Sequence, residues 1–408
     1  MMGSNADIEI GLVGHPYAPI GRGEDVRCTF RALRSVAGKP RLIDVYGANR
    51  PEPDAIEELQ PYASESLCPV NVFHINGDEV DHVLATLGSR RRPADAINVV
   101  YPAWELERYP EEWSRQLERF DEVWAPSRFI MDALKDSVTV PVVHMPLACE
   151  VILSYFLGRR WFGIPESAYA FLFFFDFRSY VARKNPEAIL AAFSKLLDQK
   201  RYANCVLVIK VHGAEVAPAE IQGLRERLAP YKDRILLIDR TLTDNEVKNL
   251  VRVCDSFVSL HRSEGFGRGL IEAMYLGKPV IGTRYSGNLD FMNEQNSLLV
   301  DCKLTPLTEG QYPHWQGQVW ADADVEQTAH YMAKLVDQPE LGRQLGRVAA
   351  RHVRAHFGLR PIGLRYLERL KDLVSFREMR LVEAKATERI ERIASLSPGV
   401  DVPTQRLS

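Results

Sequence analysis

Short apolar segments alternate with amphipathic segments along the sequence, and the two halves of the chain each contain a full series of them. The apolar segments are bounded by polar residues, as buried strands are, and the segments between them have helical spacing. This alternation predicts an α/β fold with doubly wound parallel sheets. In the first half, strands are expected at Ile8–Val13, Arg41–Val45, Val70–His74, Ile97–Tyr101, Glu122–Trp124 and Val140–His144. In the second half, they are expected at Phe171–Phe175, Val206–Val211, Ile235–Ile238, Phe257–Leu260, Pro279–Gly282 and Ser297–Val300.

The length of 408 residues exceeds the usual size of a single hydrophobic core and predicts two domains. The irregular segment Leu157–Arg160 indicates a crossover between them, so we expect one Rossmann-like domain over 1–160 and a second over 161–345. The pattern from Val325 to about Lys385 is mostly helical. Helices are therefore expected over 346–394, and a disordered tail over 395–408.

Composition narrows the class of protein. The chain has 46% hydrophobic and 26% charged residues, and its net charge of −3 argues against nucleic acid as the main partner. Six scattered cysteines without C-x-x-C spacing predict reduced, structural thiols. No secretory signal is recognisable in Met1–Glu9, and the longest apolar run, Ala168–Phe175, is too short to cross a bilayer. We expect a cytoplasmic protein, with peripheral attachment to the inner face of a membrane left open.

The segment Ser263–Glu272 places two carboxylates eight positions apart around a glycine-rich turn. It joins the carboxyl end of a predicted strand to the amino end of a predicted helix, where free backbone N–H groups and the helix dipole favour phosphate. Arg268 lies in the first helical turn, which is unfavourable for a cation unless an anion is nearby. The alternative is an Arg268–Glu272 pair on a solvated helix face.

Three alternating glycines in this turn, Gly265, Gly267 and Gly269, indicate close backbone approach to a ligand. The alternative is that they only punctuate a turn.

A second basic loop, Asp176–Glu187, also connects a predicted strand to a predicted helix. Asn185 suits the cap of that helix and Pro186 its first position. Arg183 and Lys184 then lie just outside the helix amino terminus, at the same edge of the sheet as Glu264. Cations gathered there would balance the charge of a bound diphosphate; the alternative is a solvated charge run.

Glu264-x7-Glu272, followed by Ala273–Thr283 and by Gly287-Asn288, resembles the signature of retaining GT-B glycosyltransferases of family four, the glycosyl transferases group 1. The dinucleotide fingerprint G-x-G-x-x-G is not matched, which disfavours a dehydrogenase. The resemblance implies two Rossmann-like domains that face each other across a cleft, with late helices that partly pack back on the first domain.

The resemblance also implies roles for individual residues. Glu264 would contact the hydroxyls of the donor sugar, Glu272 the ribose, and the helix amino end the diphosphate. Lys184, with either Arg178 or Arg183, would bind the diphosphate, and we assign catalytic roles to Glu264, Lys184 and Arg183. The remaining donor contacts are expected at Gly267, Arg268, Gly269 and Leu270.

The nucleotide base is expected beside the turn that follows Ile235–Ile238, at Arg240 or Leu242, although Thr243 and Glu246 also form a capping box there. On the acceptor side, the loop with Gly21, Gly23 and His15 is similar to the family's first loop. The histidine that family members often hold after the fourth strand is absent. Trp104 and Glu105 follow that strand instead, so Glu105 is a candidate polar contact, with His74 and Asp78 as alternatives.

The activity implied is transfer of a hexosyl group, with retention, from a nucleoside-diphosphate sugar to a hydroxyl of a carbohydrate, a lipid-linked sugar or another acceptor. Bacterial polysaccharide or glycolipid synthesis is the setting by analogy. No metal or cofactor is expected, because carboxylates and histidines show no compact ligand spacing and the cations can balance the phosphate charge. Two alternatives are a non-catalytic, nucleotide-sugar-binding partner in an assembly complex and a GT-B epimerase or phosphorylase. The donor base, the sugar and the acceptor stay open.

Overall fold

The computed structural model describes residues 8–47, 53–88 and 95–396. The first half builds a parallel six-stranded sheet in the order β2-β1-β3-β4-β5-β6. Its strands are β1 (Glu9–Gly14), β2 (Lys39–Asp44), β3 (Val70–Phe73), β4 (Ile97–Val100), β5 (Glu122–Ala125) and β6 (Val142–His144). The helices in this half are α1 (Gly21–Arg34), α2 (Pro53–Leu59), α3 (Val80–Leu87), α4 (Glu111–Leu117) and α5 (Arg128–Leu134).

The second half builds another parallel six-stranded sheet, in the order β12-β11-β10-β7-β8-β9. Its strands are β7 (Tyr169–Asp176), β8 (Cys205–His212), β9 (Ile235–Ile238), β10 (Ser256–Ser259), β11 (Val280–Thr283) and β12 (Leu298–Val300). Its helices are α6 (Val181–Lys184), α7 (Pro186–Asp198), α8 (Pro218–Leu228), α9 (Asp244–Val253) and α10 (Arg268–Tyr275). A strand lies at or within two residues of each of the twelve predicted positions, so the predicted fold class is confirmed.

A β-hairpin that was not predicted follows the second sheet. Its strands are β13 (Cys302–Pro306) and β14 (Val319–Ala323). The loop between them reaches the first half of the chain, where the Arg108 backbone N–H donates to the Gln318 side-chain oxygen at 3.1 Å. Both strands are short and together half-exposed, and a long loop separates them, so they lack the signal of a buried strand or of a tight hairpin.

Three helices complete the described chain: α11 (Val325–Asp337), α12 (Pro339–His356) and α13 (Leu359–Leu396). Helix α13 packs along α1, and Gly363 permits this because a Cβ atom there would lie 2.1 Å from the Ala32 carbonyl oxygen. Arg369 of α13 donates to the buried carboxylate of Glu122, with Nε 3.0 Å from Oε1. Helix α13 therefore fastens the end of the described chain to the first sheet. Most of the predicted tail, residues 397–408, lies outside the described residues.

All six cysteines are free thiols, and five of them are buried. Among the described residues, no helix combines the length and the apolar character that crossing a membrane requires.

Candidate active site

The strand order of the second sheet brings the two predicted phosphate loops together. The chain proceeds from β7 outward through β8 and β9, then returns to place β10 on the other side of β7. The loop with Lys184 follows β7, and the loop with Glu264 follows β10. Both loops therefore leave the carboxyl ends of adjacent parallel strands at a topological switch point, where ligands bind in open α/β sheets.

Glu264 is held by both cations of the other loop. Lys184 Nζ donates to Glu264 Oε1, and Arg183 Nη1 lies 3.1 Å from Oε2. Burial alone would raise the pKa of Glu264, but Lys184 and then Arg183 lower it to about 2. The pKa of Lys184 is lowered mainly by burial and, to a smaller extent, by the charge of the neighbouring Arg183. Glu264 is therefore an ionised carboxylate between the buried Arg183 and the partly buried Lys184.

Arg183 and Arg178, which the sequence did not distinguish, lie in different surroundings. Arg183 is buried, donates to the Ser263 carbonyl oxygen at 2.9 Å and lies 3.7 Å from Glu105. Arg178 is half-exposed and pairs with Glu215 at 2.6 Å. Arg183 is thus part of the Glu264 cluster, and Arg178 belongs to a separate surface pair.

Asn185 occupies the cap position of α7, but the prediction that its side chain caps the helix is wrong. The residue has a left-handed backbone, with φ of 55°, and makes no side-chain cap hydrogen bond. Its side chain donates instead to the Leu260 carbonyl oxygen at 3.1 Å. The left-handed turn directs the amide away from the helix. The contact with Leu260 therefore joins the Lys184 loop to the end of β10.

The glycines of the loop that contains Glu264 are required by the packing of the protein itself. Gly267 has φ of 95° and precedes α10, a conformation that favours glycine. A Cβ atom at Gly265 would lie 2.5 Å from the Trp104 carbonyl oxygen, and one at Gly269 would lie 2.7 Å from the Phe174 ring. Leu270, the next candidate, is buried. Ligand contact by these backbone groups stays a prediction.

Arg268 has a partner in the other half of the chain. Its Nε donates to Asp25 Oδ1 of α1 at 2.9 Å, while Glu272 is 4.0 Å from Nη1. The Asp25 pair is therefore the main contact of Arg268, and the i,i+4 pair on its own helix is secondary. The sequence predicted an anion beside Arg268, because a cation in a first helical turn is unfavourable without one. In the structure this anion is the carboxylate of Asp25.

Glu272 differs from Glu264 in its ionisation. Burial raises the pKa of Glu272 to about 7, although Arg268 and Lys248 oppose the shift. Those two cations are already paired with other carboxylates, Arg268 with Asp25 and Lys248 with Asp244. Glu272 is thus a buried carboxyl group without a strong partner of its own. It is suited to accept hydrogen bonds from ligand hydroxyls when it is ionised.

Further ion pairs join the two halves beside this point. Lys248 of α9 lies 3.5 Å from Glu24 of α1, and Arg27 donates to the same carboxylate at 2.7 Å. These cations hold the pKa of Glu24 well below its usual range, although its burial has the opposite effect. The first turns of α1 therefore face α9 and α10 through alternating charges.

Glu105 faces the same cluster from the other side. Tyr312, in the hairpin loop, donates to Glu105 Oε2, and Arg183 is the nearby cation. Trp104 is buried, and its ring centroid lies 5.6 Å from that of Tyr312, so it anchors the loop. Glu105 is consequently positioned at the junction of both sheets and the hairpin.

The residues expected near the base lie at the start of α9. The predicted capping box of Thr243 and Glu246 is confirmed. Arg240 donates to Glu246 at 3.0 Å, and Leu242 is buried. Both candidates thus have contacts within the protein, and base recognition stays a prediction for them.

The expected acceptor-side loop follows β1. His15 stacks on Tyr46, with ring centroids 3.6 Å apart. Gly21 begins α1 beside open space, whereas a Cβ atom at Gly23 would lie 2.2 Å from the Ala18 carbonyl oxygen. Asp78 lies in the short 3₁₀ turn Gly77–Glu79 before α3, where the Asn76 backbone N–H donates to Glu79 Oε2 at 2.7 Å.

The sequence did not single out Asp25, Lys248 or Tyr312. Asp25 lies just beyond the first turn of α1, whose acidic residue is Glu24, so no local rule marked it. Lys248 and Tyr312 reach the site through tertiary contacts, for which the sequence pattern carries no signal.

Comparison with known proteins agrees with this architecture. Residues 171–352 match the family model of glycosyl transferases group 1, which covers the second sheet and both candidate loops but less than half of the chain. No curated protein matches the chain in sequence. Among solved structures, a glycosyltransferase from Rickettsia africae superposes with a TM-score of 0.63 and 15% identity, over 90% of this chain and 99% of that one.

The chain has the GT-B fold. Sucrose-phosphate synthase from Thermosynechococcus elongatus superposes with a TM-score of 0.65 and 17% identity, over 90% of this chain and 99% of its own. Anabaena HepE, solved in complex with UDP and glucose, gives a TM-score of 0.62 and 13% identity, over 90% of this chain and all of that one. At these identities, the likeness concerns the fold.

Proposed function

We propose that the protein is a retaining glycosyltransferase that moves a hexosyl group from a nucleoside-diphosphate sugar to an acceptor hydroxyl. The observation that carries the proposal is the convergence of Lys184, Arg183 and Glu264 at the switch point of the second sheet, beside the amino end of α10. The match of the same segment to the glycosyl transferases group 1 model supports it. So does the UDP complex of the Anabaena protein of similar fold.

In the proposed complex the donor diphosphate lies at the amino end of α10. Lys184 and Arg183 supply positive charge, and the backbone N–H groups of Gly267, Arg268 and Gly269 add hydrogen bonds. The Leu270 N–H already donates to the Gly267 carbonyl oxygen at 3.1 Å. Glu264, released from part of its pairing with Lys184, accepts hydrogen bonds from the sugar hydroxyls. Glu272 accepts them from the ribose.

The reaction is a substitution on one face of the sugar. The bond between the anomeric carbon and the diphosphate oxygen breaks, and the acceptor oxygen bonds to that carbon on the same side. The acceptor proton passes to the departing phosphate oxygen. Lys184, Arg183 and the amino end of α10 stabilise the negative charge that develops on the diphosphate, which is where preorganised charge has the largest effect on rate.

The acceptor would be a carbohydrate, a lipid-linked sugar or another hydroxyl compound, bound between the two sheets. We propose a cytoplasmic setting in bacterial polysaccharide or glycolipid synthesis, with peripheral membrane contact through the acceptor. The protein cations take the place of a metal ion in this scheme, so we expect activity without added metal.

The test is release of nucleoside diphosphate from a panel of UDP-, GDP- and ADP-sugars with a mixed set of acceptors. Lys184→Ala and Glu264→Ala should each abolish turnover. Lys195→Ala is the matched control, because Lys195 is a half-exposed lysine of α7 that pairs with Glu326. Unchanged turnover in both site variants would refute the assignment. Donor binding with neither transfer nor hydrolysis would favour the non-catalytic partner, and an epimerised or phosphorolysed sugar would favour those chemistries.

A further inference from the structure

His74 is a buried histidine whose two ring nitrogens have no hydrogen-bond partner among the described residues. It directly follows β3, and its ring centroid lies 5.1 Å from that of Tyr101. Buried polar groups in folded proteins are nearly always paired, and an unpaired one is a standing cost to the fold. A group outside the described chain is therefore the expected partner of this imidazole.

His74 occupies a position in the first sheet that corresponds to the position of the Lys184 and Glu264 loops in the second sheet. In the first sheet, β2 is added on one side of β1 and β3 on the other, so the order of strands reverses between β1 and β3. These two strands are adjacent and parallel. His74 stands at the carboxyl end of β3, beside Gly14 at the end of β1. It therefore lies at the switch point of the first sheet, where ligands collect.

Two arginines from different halves of the chain, Arg22 and Arg268, lie near His74. Burial and then the nearby Arg22 and Arg268 lower the pKa of His74, so its imidazole is neutral at physiological pH. Arg22 is the second residue of the 14-residue helix α1 and donates to the Tyr101 carbonyl oxygen at 3.1 Å. A neutral imidazole offers one N–H donor, and the two cations and the helix dipole favour an anion as the acceptor.

Asp25 is the carboxylate that pairs with both arginines in the structure. Its carboxylate pairs with Arg268 through Nε at 2.9 Å and lies 3.7 Å from Arg22. Guanidinium groups bind carboxylate and phosphate oxygens with the same geometry, so a phosphate can exchange for this carboxylate. Arg268 is also in the first turn of α10, where the donor diphosphate is proposed to lie.

We propose that His74 is a phosphate-binding residue, whose imidazole N–H donates to an oxygen of the donor diphosphate once Asp25 has separated from Arg268. Arg22 and Arg268 hold the same phosphate from the two sides of the cleft. This proposal rests on the proposed function, since it assigns the first sheet's share of the same donor site.

The experiment is isothermal titration of the full chain with UDP, GDP and ADP and with the corresponding nucleosides. The variants are His74→Leu, which removes both nitrogens, His74→Gln, which keeps a donor, and His330→Gln, an exposed control on α11. Because a hydrogen bond to a charged group is lost, His74→Leu should bind the diphosphate at least about tenfold more weakly than the wild type does. Nucleoside affinity should not change, and His74→Gln should recover part of the loss.

A second measurement keeps the proposal testable if His74→Leu does not fold. In wild-type protein labelled with ¹⁵N-histidine, addition of the bound diphosphate should shift a His74 ring nitrogen, and addition of the nucleoside should not. His74→Leu should melt at or above the wild-type temperature without ligand, because it removes two unpaired polar atoms.

Two failures are distinguishable. If the wild type binds a nucleoside diphosphate and His74→Leu binds it equally well, or if nucleoside and diphosphate weaken together, the role of His74 is refuted and the proposed function stands. If the wild type binds none of the three diphosphates, the proposed function fails, and the His74 proposal fails with it.

Discussion

Neutralising the two glutamates of the glycine-rich loop should change stability in opposite directions. Burial raises the pKa of Glu272 to about 7, whereas Lys184 and Arg183 overcome the effect of burial and lower the pKa of Glu264 to about 2. Glu272 therefore favours the folded state below pH 4.5, and that contribution is lost as pH rises through about 7. Glu264 favours the folded state above pH 4.5, and its contribution is lost only as pH falls through about 2.

The pKa values of Glu264 and Glu272 each differ from the ordinary value of 4.5 by about 2.5. At about 1.4 kcal/mol per unit, each corresponds to about 3 kcal/mol in the free energy of unfolding. Both side chains are nearly buried, so screening by solvent reduces these values little. For a cooperative unit of 150–250 residues, about 3 kcal/mol corresponds to roughly 6–12 °C in melting temperature.

The assay is thermal unfolding of wild type, Glu272→Gln and Glu264→Gln at pH 5 and at pH 8, without ligand. Glu272→Gln should melt above the wild type at pH 8, with a smaller difference at pH 5. Glu264→Gln should melt below the wild type at both pH values, because it leaves the buried Arg183 and the partly buried Lys184 without their carboxylate. A lower melting temperature for Glu272→Gln than for wild type at pH 8 would refute the reasoning. Its nucleotide affinity should nevertheless fall, because the carboxylate oxygens are lost.

Three further outcomes are expected. Arg183→Ala should reduce turnover at least a hundredfold, and Arg178→Ala should change it less than threefold, since only Arg183 contacts the Glu264 cluster; equal losses in steady-state kinetics would contradict the assignment. Arg369→Ala should lower the free energy of unfolding by about 3–5 kcal/mol in denaturant titration, because Glu122 would keep a buried charge without its cation; a change below 1 kcal/mol would show that α13 is not fastened there. Incubation with EDTA should leave turnover unchanged, and restoration of lost activity by Mg²⁺ or Mn²⁺ would show that a metal takes part.

Much of the fold followed from local pattern. Each of the twelve predicted strands has a counterpart, because strands buried on both faces are short apolar runs with polar ends. The contact of Lys184 with Glu264 was also foreseeable, since both follow strands whose carboxyl ends share one edge. The hairpin was not, because its strands are half-exposed and separated by a long loop.

The partners of the site cations were the part that the sequence did not reveal. Arg268 was expected to mark a phosphate, and it pairs with Asp25, which is 243 positions away. A cation in a first helical turn needs a nearby anion, and both a ligand phosphate and the Asp25 carboxylate satisfy that rule. Deciding between Arg178 and Arg183 likewise required the tertiary contact with Glu264.

The most direct test of retaining transfer is the anomeric configuration of the product. With the donor that is turned over in the panel, ¹H NMR of the first product formed should show the configuration of the donor sugar, together with one equivalent of nucleoside diphosphate. Lys184→Ala should give no product over the same period. A product of inverted configuration would contradict the retaining mechanism, and equal transfer by Lys184→Ala would contradict the site.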